Sequence, residues 1–143
     1  MEQGRTKEIF SAPASLRLLG WSASGSELFL EMTDGVMKTN PLDVKLLQVS
    51  VGGENRIVTT FKNIYAKSMT LSTDGKTVAF TARQNDRDDI WTAATNGGEA
   101  KKITANSNSR LFFGSLAFSP DGTTIFFDKQ DQINTISMFE NFK

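Results

Sequence analysis

Residues 116–127 read LAFSPDGTTIFF, two apolar runs divided by the polar phrase Ser119-Pro120-Asp121-Gly122. Proline at position 120 presets φ near about −65° for the second residue of a type I turn, and aspartate suits the third. Gly122 then supplies the left-handed residue that closes such a hairpin with a bulge. The stretch predicts a hairpin corner with a strand on either side.

Nearly the same phrase occurs twice more. MTLSTDGKTVAF at 69–80 carries Ser72-Thr73-Asp74-Gly75, and GWSASGSELFL at 20–30 carries Ser22-Ala23-Ser24-Gly25. Glycine is the residue shared at the left-handed position: Gly25, Gly75 and Gly122, spaced by 50 and 47 residues. A second phrase alternates with the first, LLQVSVGGENRIVT around Gly52-Gly53 and IWTAATNGGEAKKIT around Gly97-Gly98, with a weaker version, QGRTKEIF, around Gly4. Two phrases in step define a repeat, and a period of this length belongs to propellers and arrays. Gly53 and Gly98 mark the second kind of corner.

The flanks agree with this reading. Leu28-Phe29-Leu30, Val78-Ala79-Phe80 and Ile125-Phe126-Phe127 follow the corners and are apolar without alternation, as strands buried on both faces are. Leu46-Leu47-Gln48-Val49 and Ile90-Trp91-Thr92-Ala93 precede the Gly-Gly turns. Ile57-Val58-Thr59 and Lys102-Ile103-Thr104 follow them. Four short strands per repeat and no helical segment of ordinary length predict an all-β chain of β-propeller blades. We expect about three four-stranded antiparallel blades, half of a six-bladed ring. The expected partition is an orphan outer strand at 1–10, blades at 11–60 and 61–105, and a blade at 106–143 lacking its outer strand.

The stretch LSTDGKTVAFTARQNDRDDIWTAATNGGEAKKIT at 71–104, together with LAFSPDGTTIFF, resembles repeats of the TolB-type, or PD40, β-propeller family, a relative of WD40 propellers. The likeness spans about residues 17–137. It departs in the first copy, where Ser24 stands in the place of the turn aspartate and TDGVMKTNPLDVK is less regular. The closing INTISMFENFK is similar to the tails of bacterial proteins that carry such repeats behind a winged-helix regulator or a protein kinase domain. The resemblance implies binding of a protein or peptide, as in TolB-like proteins, or gating of a separate hydrolase domain, as in prolyl-oligopeptidase relatives. Fold alone decides neither.

Composition removes much chemistry. The 143 residues contain no cysteine and no histidine, so thiolate nucleophiles, cysteine or histidine metal sites and imidazole acid–base catalysis are excluded. Sixteen basic and sixteen acidic residues cancel, leaving no field that would draw nucleic acid or an anionic membrane. No run approaches the roughly 18 apolar residues of a membrane span. Gly52-Gly53 and Gly97-Gly98 are turns with no helix after them, so they cradle no phosphate. No cofactor is expected, the chain is not expected to be an enzyme, and either a cytoplasmic or a periplasmic setting is compatible.

Two places remain for binding. ARQNDRDDIW at 82–91 gathers Asn85, Asp86, Asp88 and Asp89, oxygen donors of the kind hard cations take. Arg83 and Arg87 would neutralise them, so a solvated charged loop is the preferred reading and Asp86, Asp88 and Asp89 are weak metal candidates. NSNSRLFFGS at 106–115 places Arg110 beside Phe112 and Phe113 in what reads as a loop. With Arg83, Arg87 and Lys129 these form the expected partner-binding rim, on loops near 61–68, 83–89, 105–115 and 128–132. The other aromatics, Trp21, Trp91, Phe118, Phe126 and Phe127, read as core.

Three blades close no ring, since propellers have about four to eight. Gly4 to Phe10 reads as an orphan fourth strand and the last repeat stops after its third, near Ser137. The expectation is a homodimer completing a six-bladed ring, or the remaining blades of a longer chain, of which this would be the C-terminal half. A purely structural repeat fragment is the third alternative.

Overall fold

The computed structural model describes residues 4–34 and 42–131, and every described element is a β-strand. β1 (Ser15–Trp21), β2 (Glu27–Thr33), β3 (Leu42–Ser50) and the first part of β4 (Asn55–Leu71) form one antiparallel sheet. The rest of β4, from Tyr65, pairs with β5 (Thr77–Gln84), followed by β6 (Arg87–Ala94) and β7 (Lys101–Lys102). β8 (Leu111–Phe118) and β9 (Ile125–Asp131) begin a third sheet. The order within each sheet is sequential, the meander of a blade.

β4 corrects one expectation. Residues near 61–68 read as a crossover loop, yet the 17-residue strand runs straight through them. It leaves the outer edge of the first blade and becomes the inner strand of the second. The sequence here lacks the glycine or proline that would stop a strand, so nothing interrupts it. At the other ladder edge Lys102-Ile103-Thr104 pairs less than expected: β7 has two residues, with the Ile103 amide donating to the Ile90 carbonyl at 2.9 Å. Gly4 to Phe10 carries no ladder, because a strand exists only by pairing and no described strand lies along it. The expected strand near Ser137 and the closing tail lie outside the described residues.

The three corners share one geometry. The amides of Gly25, Gly75 and Gly122 donate to the carbonyls of Ser22, Ser72 and Ser119 at 2.8–2.9 Å, with φ of +70°, +66° and +71°. A non-glycine residue at such φ costs about 1–2 kcal/mol. In the second and third corners the aspartate knits the turn. Asp74 accepts from the Ser72 hydroxyl at 2.6 Å and the Lys76 amide at 3.1 Å, and Asp121 from the Ser119 hydroxyl and the Thr123 amide. The serine hydroxyl foremost, then the amide, holds both carboxyls below their ordinary value. In the first corner Ser24 takes that place, 2.9 Å from the Ser22 hydroxyl.

Two seams bury the core. Between the first and second blades lie Phe29, Val44, Leu46, Phe61, Met69, Val78 and Phe80, with Phe61 and Phe80 rings 4.4 Å apart. Between the second and third lie Ala79, Ile90, Phe113 and Leu116. Val78 and Phe80 face one seam and Ala79 the other, so the middle blade is apolar on both sides and buried on both. The outermost blades differ. Trp21 is 52% exposed and Phe126 62%, against the expectation that both are core, because the faces that carry them meet no neighbouring blade among the described residues.

Candidate functional site

Asp88 and Asp89 are adjacent on β6, and neighbouring strand residues point to opposite faces. Neither is solvated: Asp88 is fully buried and Asp89 nearly so, which overturns the solvated-loop reading for both. Burial of a carboxylate is tolerable only when it is paired and hydrogen-bonded, and both are. Asp88 sits opposite Arg83 in the β5–β6 ladder, with Arg83 Nη1 donating to its Oδ1 at 3.0 Å. Its Oδ2 accepts from the Phe113 amide at 3.0 Å, so this carboxylate ties the second blade to the inner strand of the third.

Asp89 works on the other face. Its Oδ1 accepts from the Thr104 hydroxyl and the Asn106 amide, both at 2.8 Å, and Lys102 Nζ reaches Oδ2 at 3.2 Å. Burial pushes its carboxyl up, but the Asn106 amide, the Thr104 hydroxyl and Lys102 outweigh it and the net direction is down. The crossover from β7 to β8 is thereby pinned. Asn106 also donates to the Asp88 carbonyl at 3.1 Å, and Asn108 Oδ1 accepts the Arg110 amide at 2.9 Å.

What these bonds build is a rim over the seam between the second and third blades. The Arg83 guanidinium lies over the Phe112 ring, 4.8 Å from its centroid. Arg87 and Arg110 are exposed at the same end of the blades, as are Asn85 and Asp86 in the β5–β6 turn, where both take positive φ. Lys129 pairs across the β8–β9 ladder from Phe113 and is exposed at the same end. Arg83, Arg87, Arg110, Phe112 and Lys129 thus gather at one end of the two blades.

Phe113 does not join them. It is buried in the seam, its ring 5.0 Å from that of Phe127, because strand alternation turns it away from Phe112. The same alternation separates the three metal candidates: Asp86 points into solvent while Asp88 and Asp89 part to opposite faces. Among the described residues no group of three or more carboxylates could hold an ion. Asp88 and Asp89 are the residues whose role the sequence concealed. A charged run looks solvated, and apart from Arg83 their partners lie 13 to 25 residues further along the chain.

A second concavity, about 330 Å³, opens between the first and second blades and is lined by Phe61, Lys62, Gln84, Trp91 and Glu99 among others. It lies outside the rim.

Comparison with known proteins supports the architecture. The chain is similar in structure to TolB from Acinetobacter baumannii, with a TM-score of 0.57 and 18% sequence identity, over 83% of this chain and 28% of that one. It spans little more than a quarter of that TolB chain. No protein-family profile matches the sequence, and no curated protein matches it. The fold is that of β-propeller blades, TolB-like in arrangement.

Proposed function

We propose that this chain is a non-catalytic module that binds a protein or peptide on the rim above the second and third blades. Its repeats are of the TolB-type, PD40 kind, and it works in a ring completed by a second copy or by further blades of a longer chain. The observation that carries the reading is that buried carboxylates hold the rim in place. Asp88 and Asp89 fix Arg83, the crossover and the β8 amide, so Arg83 and Phe112 meet on rigid supports, with Arg87, Arg110 and Lys129 exposed at the same end of the blades. Preorganisation of this kind lowers the entropic cost of binding.

An arginine over an aromatic ring, with further exposed cations at the same end of the blades, suits a peptide that offers a carboxylate next to an apolar group. The test is selection of a random peptide library on the immobilised chain, followed by affinity measurement on the peptides recovered. Carboxylate-bearing peptides are expected to enrich, and Arg87→Glu with Arg110→Glu is expected to weaken them more than tenfold. No enrichment over the bare support, or unchanged affinity in the double variant, overturns the reading.

A further inference from the structure

The three corners are stacked as well as repeated. A Cβ built on Gly75 would stand 2.9 Å from the Ala23 amide nitrogen and 3.0 Å from Ser22 Cα, so the first corner rests directly on the second glycine. The Thr73 hydroxyl in turn donates to the Pro120 carbonyl at 2.8 Å, and lies 3.9 Å from the Cβ position of Gly122. Each corner seats its second residue on the next corner. Gly25 has the same φ, yet nothing lies within 4 Å of its Cβ position and it is exposed. It is a seat without an occupant among the described residues. Pro120, the counterpart of Ala23 and Thr73, is exposed at the other end of the stack.

The blade faces repeat this pattern. Counted from the corner glycines, Leu28 and Leu30 hold the positions of Val78 and Phe80, which pack against the preceding blade. On the same face, by ladder pairing, Leu18 and Ile57 at the margins are 59% and 51% exposed, while Leu47 and Val49 between them are buried. Phe126 holds the position of Phe29 and Ala79, which pack against the following blade and are buried. The chain therefore exposes the margins of one face built to receive a preceding blade, and one face built to enter a following blade.

We infer that these two faces are made for each other: the last blade of one copy docks on the first blade of a second, Phe126 against the Leu28–Leu30 surface and the Pro120 corner on the Gly25 seat. The inference rests on the ring reading above but not on the rim. The occupant is a second copy because the interface required is the one the chain already builds twice within itself. Two such contacts related by a two-fold axis close a ring of about six blades, within the usual range.

The experiment is light scattering on a sizing column, with the purified chain and the single variants Leu18→Glu and Phe126→Glu. Both sites are exposed, so both variants should keep the wild-type circular dichroism. The chain is expected at twice its 15.7 kDa mass, and each variant alone at the monomer mass. An equimolar mixture of the two variants should recover dimer, since it restores one intact contact; a misfolded variant would not complement. A monomeric wild type, a dimer broken by Leu18→Glu but not by Phe126→Glu, or a mass that climbs past two chains overturns the inference. Peptide binding to the rim is expected to survive both variants, so failure here leaves the rim reading standing.

Discussion

The second and third blades carry the same phrase after their corners and meet different fates. Val78-Ala79-Phe80 is buried to the last side chain, whereas in Ile125-Phe126-Phe127 the two phenylalanines are exposed. Local sequence makes the strand in both cases. Burial comes from what lies on either side: the middle blade has a neighbour on each face and the last has one among the described residues. An apolar run in a repeat protein reports that a face is built to be covered.

Truncating the two blades at comparable residues should widen that contrast most. Phe80→Ala removes a ring that touches Phe61 in the first seam and is expected to cost about 3–5 kcal/mol in urea unfolding. Phe126→Ala, followed in dilute monomer, should change stability by less than about 0.5 kcal/mol. Equal losses would mean that the outer face is covered within the chain itself.

The charged turn divides in the same way. Asp88→Asn weakens the partner of Arg83 and of the Phe113 amide, and is expected to cost about 3 kcal/mol. Asp86→Asn, on the exposed tip two residues earlier, should be neutral within about 0.5 kcal/mol. Hydrogen exchange would add detail, since loss of Asp88 should deprotect the Phe113 amide first.

The corners offer a smaller test. Alanine at either Gly25 or Gly75 bears the left-handed strain of about 1–2 kcal/mol, but at Gly75 it also meets the Ala23 backbone at 2.9 Å. Unfolding in dilute monomer should show Gly75→Ala as the more damaging of the two. Parity would mean that the corners move apart freely.

Acid should produce the smallest effect. The carboxyls of Asp74 and Asp121 lie below their ordinary 3.8 in the folded chain, so the folded state binds fewer protons than the unfolded one. Their contribution is full above that ordinary value and disappears as pH falls through the lower folded values. Ser24 has no proton to gain in this range. Asp121→Ser should therefore flatten the loss of stability below about pH 4 while leaving the first corner unaltered. Denaturation midpoints between neutral pH and pH 3 would register it.

The corners could be read from the chain because every interaction that makes them is local: a glycine that must turn left-handed, a serine and an aspartate bonding within five residues. Strand order followed from the alternation of the two phrases. The rim was half legible, since Arg83 and Phe112 announce themselves by type, but Phe113 is turned inward by alternation that begins at an unmarked residue. The pinning carboxylates were hidden, because most of their partners come from β7, the crossover and the next blade, and composition alone makes Asp88 and Asp86 look alike. β4 passed for two strands and a loop because nothing in 60–66 says where one blade should end.

That undivided strand sets how the molecule comes apart. Its residues up to Ile64 serve the outer edge of one blade and those from Tyr65 the inner edge of the next, so neither blade can be peeled without straining a strand that the other holds. The first two blades share that strand, while the third is joined to them by the crossover, the Asp88 tie, the corner contact and the smaller apolar seam. Pulled from its ends or warmed slowly, the chain should yield in two steps, with the lone blade released before the pair.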